Sequence, residues 1–208
     1  MKLTVCFSGL SPDPWVQGLQ QAFPQAIVSA WSPGAAQADH AIVWAPPQQF
    51  IDEQPGLQSL FNIGAGVDAL LKLKLPSSLK VVRLDDAGMS VQMAEYVCQA
   101  VIRQFRELDV YADAMAQKNW QYRKPRLRGD FPVGVMGLGV LGERVAKALQ
   151  VFYFPVNGYS RSPKDLPGVR CFSGAQSLPE FLQATRVLVN LMPLTPETEN
   201  ILNQTTLS

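Results

Sequence analysis

The apolar positions in the first third of the chain come in short runs separated by Gly, Pro and polar clusters. "LTVCFS" (Leu3–Ser8), "AIVSAW" (Ala26–Trp31), "HAIVWA" (His40–Ala45) and "LKVVRL" (Leu79–Leu84) are rich in β-branched residues and read as strands. Between them, Pro14–Phe23 has helical spacing behind Asp13 as its cap, and Leu57–Leu73 reads as strand, glycine turn and helix. Strands with short crossovers predict a mostly parallel sheet with helices on its faces. From Ser90 a helical pattern runs to about Gln117, with Met93, Val97, Val101, Phe105 and Leu108 on one stripe. Lys118–Pro132, rich in turn formers and cations, reads as a connection. A second alternation follows: strand Val133–Met136, helix Val140–Phe152, strand Val156–Ser160, a helix near Ser177–Leu182 and strand Val187–Leu191. The pattern predicts an α/β protein of two domains, 1–89 and 132–208, with the long helix and linker over 90–131.

Composition adds mostly exclusions. The 208 residues carry a net charge of +1, with 47% hydrophobic and 17% charged residues, which favours neither nucleic acid nor acidic membranes as partners. The linker cations Lys118, Arg123, Lys124, Arg126 and Arg128 therefore read as a solvated connection and not as a nucleic-acid patch. Cys6, Cys98 and Cys171 are far apart and odd in number, which reads as buried thiols in a reducing compartment and as no metal site. No apolar run is long enough to span a bilayer and the first residues do not resemble a signal peptide, so the expected location is the cytoplasm.

The candidate chemistry starts at "GLGVLG". Gly137, Gly139 and Gly142 have the spacing of a dinucleotide-binding turn, after a predicted strand and opening a predicted helix. Gly137 permits the tight turn, Gly139 lets a pyrophosphate approach the backbone, and Gly142 lets helix and strand pack closely. The amides around Leu138, Val140 and Leu141 would then face the phosphates. The next strand ends in Tyr159, Ser160, Arg161 and Ser162, where an NAD-binding turn has an acidic residue for the ribose hydroxyl. A guanidinium flanked by two hydroxyls suits a 2′-phosphate instead, and the predicted cofactor is NADP(H).

The series "GAGVD" (Gly64–Asp68), "MAEYV" (Met93–Val97), Trp120, "VGVMGLGVLGERVA" and "NLMPLTPET" (Asn190–Thr198) resembles the D-isomer-specific 2-hydroxyacid dehydrogenases along the whole chain. The resemblance implies a flavodoxin-like substrate domain, a Rossmann cofactor domain and a homodimer when the chain is full length. It also implies reduction of a small 2-keto acid such as glyoxylate or hydroxypyruvate. It assigns the substrate carboxylate to the amides of Ala65, Gly66 and Val67, and places Leu191, Met192, Pro193 and Thr198 beside the cofactor. Trp44, at a predicted strand end, lines the substrate pocket or belongs to the core. Glu95 reads as a helix-terminal or hinge residue.

The family's catalytic Arg, Glu and His have no counterpart at matching positions here. His40 is the sole histidine and reads as a loop or strand-edge residue, while Arg83 and Arg103 belong to the first domain and the long helix. No residue is therefore assigned a catalytic role. The expectation is a fragment with a truncated Rossmann domain, whose end, "NQTTLS", reads as the start of a helix. The alternative is a catalytically inactive NADP-binding or dimerisation module.

Overall fold

The computed structural model describes residues 1–207 and divides into two compact units, Met1–Asp85 and Asp86 onward. In the first unit, β1 (Lys2–Phe7), β2 (Ile27–Ala30), β3 (His40–Trp44), β4 (Ser59–Asn62) and β5 (Lys80–Arg83) form a parallel sheet. Its order, β2-β1-β3-β4-β5, is the flavodoxin-like doubly wound order. The period-two alternation of the strands decides where each helix packs. Leu3, Val5 and Ile42 face one side, where Val16 and Leu19 of α1 (Asp13–Ala22) cover them. Cys6, Ala41 and Val43 face the other, against Phe50 and Ile51 of α2 (Gln48–Glu53) and Leu70 of α3 (Asp68–Leu71). The periodicity reading missed α2, a single short stretch behind Pro47. His40 is the first residue of β3, a strand flanked by β1 and β4, so it stands at a strand end in the interior of the sheet and not in a loop.

The second unit begins with α4 (Met89–Arg106), capped by Asp86, whose carboxylate accepts from the Ser90 amide and hydroxyl at 2.7 Å each. The predicted helix to Gln117 is two helices. Glu107 breaks it with φ +54°, and α5 (Leu108–Ala116) starts anew, leaving Leu108 exposed rather than on the stripe. Side chains of the predicted linker hold this break. Arg123 and Arg126 pair with the Glu107 carboxylate at 2.5 and 3.0 Å, and Arg126 also donates to the Gln104 carbonyl at the end of α4. Arg128 lies over the rings of Phe105 and Phe154 and donates to the Phe152 carbonyl. Three of the five cations read as solvated are thus engaged with the fold.

The remaining strands, β6 (Val133–Met136), β7 (Val156–Ser160), β8 (Val169–Ser173) and β9 (Val187–Asn190), are parallel in the order β8-β7-β6-β9. This matches the first four positions of the Rossmann order 3-2-1-4. β8, "VRCFS", buries only Phe172 fully and escaped the sequence reading; it also leaves Cys171 half-buried rather than buried. Val133, Val135 and Val156 meet Val97, Val101 and Phe105 of α4 and Val145 and Leu149 of α6 (Val140–Val151). The opposite face packs Met136, Tyr159 and Phe172 on Phe181 of α7 (Leu178–Gln183). Each fully buried side chain of this size contributes about 1.5–3 kcal/mol of transfer free energy. The last helix, α8 (Gln204–Leu207), is capped by Asn203, whose side-chain oxygen accepts from the Thr205 and Thr206 amides. Among the described residues, no helix is long and apolar enough to cross a membrane.

Candidate active site

In both units the candidate residues gather at the carboxyl ends of parallel strands, where open α/β sheets take their ligands. In the second unit the turn after β6 is fixed by two close approaches. Gly137, at φ +91°, donates its N–H to the Tyr159 carbonyl at 2.8 Å; a Cβ there would lie 2.9 Å from the Leu191 carbonyl. A Cβ on Gly142 would lie 1.9 Å from the Gly137 carbonyl oxygen, so only glycine lets α6 start this close to β6. Around Gly139 the opposite holds: nothing lies within 4 Å of a Cβ built there. The amides of Leu138, Gly139, Val140, Leu141 and Gly142 make no backbone hydrogen bond among the described residues, and no side chain caps α6. Open space in front of free amides at the start of a twelve-residue helix fits a pyrophosphate. The Leu138 side chain is buried against Gly158, so its contribution to such a site is its main chain alone.

At the end of β7 the three residues assigned to the 2′-phosphate differ. Arg161 is exposed and makes no hydrogen bond among the described residues. The Ser160 hydroxyl is buried and donates to the Ser162 carbonyl at 2.7 Å, so it shapes the turn and has no proton for a phosphate. Ser162 is exposed beside Arg161. A carboxylate does reach this corner, from a distant part of the chain. Glu197 is held below the usual carboxylate range, first by a hydrogen bond from Thr195 and, more weakly, by the charge of Arg161.

Beyond β9, Leu191 donates to the Met136 carbonyl and passes beside Gly137, and the Met192 amide donates to the Asn190 side chain. Both stand next to the glycine turn. Pro193 and Thr198 close a loop of their own: the Thr198 hydroxyl donates to the Pro193 carbonyl at 2.5 Å and accepts from the Thr195 amide at 2.8 Å. Thr198 therefore stands in the structure as a loop-locking residue. Glu95 is exposed on the second turn of α4 and is not a helix terminus.

The first unit brings Trp44 together with Ala65, Gly66 and Val67. The Trp44 ring lies over Gly64, leaving 2.3 Å to a Cβ built there, and the residue is 38% exposed at the end of β3. It is a rim residue and not core. The amides of Ala65, Gly66 and Val67 donate to nothing among the described residues. The helix behind them is a single turn, so an anion here depends on these N–H groups and hardly on a helix dipole. Two residues to which the sequence reading gave no role in a site shape the loop. Asn62 donates from its amide nitrogen to the carbonyls of Gly64 and Gly66 at 2.8 Å each, and Arg83 donates to the Ala65 carbonyl at 3.1 Å. Opposing them, the Asp68 carboxylate lies near Gly66. An Asn two residues before a glycine turn was the available signal.

The sequence pattern of the family described as "D-isomer specific 2-hydroxyacid dehydrogenase, NAD binding domain" matches residues 98–208. Over 201 residues the chain is 44% identical to glyoxylate/hydroxypyruvate reductase A of Yersinia enterocolitica, covering 93% of this chain and 64% of that one. The chain thus spans less than two thirds of the length of that relative. Among solved structures, a D-isomer specific 2-hydroxyacid dehydrogenase of Xanthobacter autotrophicus Py2, in complex with NADPH and MES, superposes with a TM-score of 0.88 at 37% identity; the match covers 99% of this chain and 67% of that one. An NADPH-dependent glyoxylate/hydroxypyruvate reductase of Sinorhizobium meliloti, in complex with NADP and sulfate, also gives 0.88, at 30% identity, with 99% and 66% covered.

Proposed function

Because the chain belongs to the D-isomer specific 2-hydroxyacid dehydrogenase family, we propose that it carries the cofactor and carboxylate sites of an NADPH-dependent reductase of glyoxylate or hydroxypyruvate. The observation that carries the reading is the exposed guanidinium of Arg161, at the end of the strand next to a glycine turn with free amides. The bound NADPH of one relative and NADP of another support it.

NADPH, when bound, supplies hydride to the keto carbon. The amides of Leu138 to Gly142 receive the pyrophosphate, with Leu191 and Met192 beside them. Arg161 and Ser162 receive the 2′-phosphate. Ala65, Gly66 and Val67 hold the substrate carboxylate while Trp44 shields it from water. The proton donor is not among these residues. His40 lies at the amino end of β3, about 13 Å of extended strand from Trp44 at the carboxyl end that faces the amide loop. The 208 residues by themselves therefore bind cofactor and carboxylate without turnover. Assembly as a homodimer and residence in the cytoplasm belong to the same proposal.

Side-by-side titration with NADPH and NADH, followed by cofactor fluorescence, tests the reading. The chain should prefer NADPH, and Arg161→Ala should weaken NADPH binding by about 10- to 150-fold, the worth of a hydrogen bond to a charged group. NADH binding should hardly change. Equal affinities for the two cofactors in the parent chain would overturn the assignment.

A further inference from the structure

We infer that Asn62 is the positioning residue that creates the anion-binding amide array, an inference that rests on the carboxylate reading of Ala65–Val67. Asn62 ends β4, is 4% exposed, and uses both hydrogens of its side-chain amide on carbonyls in the following turn. A planar trans peptide holds each C=O opposite the next residue's N–H, and no peptide among the described residues is cis. Fixing the Gly64 carbonyl therefore turns the Ala65 N–H away from Asn62, and fixing the Gly66 carbonyl does the same for Val67. Arg83 holds the Ala65 carbonyl between them and so sets the Gly66 N–H.

Without the Asn62 clamp, this glycine-containing turn has no bond that keeps alternate carbonyls pointing inward. Any peptide that flips would present an oxygen to the carboxylate in place of a hydrogen. Trp44 limits the alternatives at Gly64 by its ring, but it makes no hydrogen bond to the turn. Asn62 thus acts through the backbone and touches no substrate.

The test is a titration of the ¹⁵N-labelled chain with oxalate, reading the amide shifts of Ala65, Gly66 and Val67. Asn62→Ala should weaken the affinity by about 25-fold, a factor of about five for each hydrogen bond released. Asn62→Asp keeps the volume but offers no hydrogens when ionised; it should bind as poorly, and it gives the same reading if Asn62→Ala fails to fold. Gln54→Ala is the stability control. Gln54 is another buried clamp of the same unit, bonding Ala36 and Ala38, and its loss should lower the melting temperature without changing the oxalate affinity. If the parent shows no shifts at residues 65–67, the carboxylate reading falls and the inference with it. Parent shifts combined with Asn62 variants within twofold of the parent, or with a Gln54→Ala loss as large as theirs, would overturn the positioning role alone.

Discussion

Alanine at Gly142 and alanine at Gly139 should fail in opposite ways. At 142 the new methyl would lie 1.9 Å from the Gly137 carbonyl oxygen and 2.9 Å from its carbon. A carbon and an oxygen need roughly 3.3 Å, so the helix and the turn would have to part by more than an ångström. The turn has little room to give. The Gly137 N–H is bonded to Tyr159 at 2.8 Å, and the other side of Gly137 abuts the Leu191 backbone. Overpacking against backbone on both sides costs about 3 kcal/mol, the upper end of the usual range, and the better helix propensity of alanine returns about 1 kcal/mol. The net loss of about 2 kcal/mol corresponds to roughly 4–8 °C in Tm for a chain of this size. At 139 the backbone is extended and the added methyl meets nothing, so stability should hold or rise by about 0.4–1 kcal/mol. That methyl would instead occupy the approach to the Val140 and Leu141 amides, and NADPH affinity should fall at least about tenfold, the worth of one charge-assisted hydrogen bond. Urea melts by circular dichroism and NADPH fluorescence titrations read the two effects separately. A Gly142→Ala chain as stable as the parent, or a Gly139→Ala chain with undiminished NADPH binding, would refute the assignment of these glycines.

Two further outcomes follow from the charges. The Glu107 carboxyl is held below its usual 4.5, first by the hydrogen bond from Arg123 and then by the charges of Arg123 and Arg126. A value lower in the folded state than in the unfolded chain gives stability that is complete above pH 4.5 and fades as the pH falls through the folded value. Glu107→Gln should therefore flatten the acid limb of stability, read by thermal melts between about pH 3 and pH 6; an unchanged slope would count against the pairing. Glu197 places a negative charge near Arg161 without bonding to it, which would disfavour a 2′-phosphate there, so Glu197→Gln should raise NADPH affinity by about two- to fivefold and leave NADH unchanged. A drop in NADPH affinity would show the carboxylate to be a partner and not a competitor.

Strands whose side chains alternate between two buried faces were legible, because each apolar run reports its own period. β1, β3, β6 and β7 are of this kind. The misses have physical reasons. β8 has one fully buried residue in five, too little apolar signal to separate it from a loop. The break at Glu107 could not be seen in the periodicity, since its cause is a pair of arginines sixteen and nineteen residues downstream. Separation along the chain also hid Glu197 from the 2′-phosphate corner: it follows Arg161 by thirty-six residues, yet the loop after β9 brings its charge to bear on the guanidinium.

The two candidate anion sites also explain why one was read from residues and the other needed a resemblance. Each must present free N–H groups, and each must therefore hold the matching carbonyls elsewhere. In the second unit sterics do this. The Gly137 carbonyl sits where a Cβ of residue 142 would be, so the arrangement demands glycine and leaves its spacing in the sequence. In the first unit a side chain does it. Asn62 holds two carbonyls by hydrogen bonds, and an Asn near a glycine turn is so common that it is only a weak signal. An excluded atom constrains residue identity at fixed offsets, while a hydrogen bond constrains only the place a donor must reach. The second unit's site should therefore tolerate almost nothing at 137 and 142. The first unit's site should accept at 62 any residue that can offer two hydrogens from the same buried position.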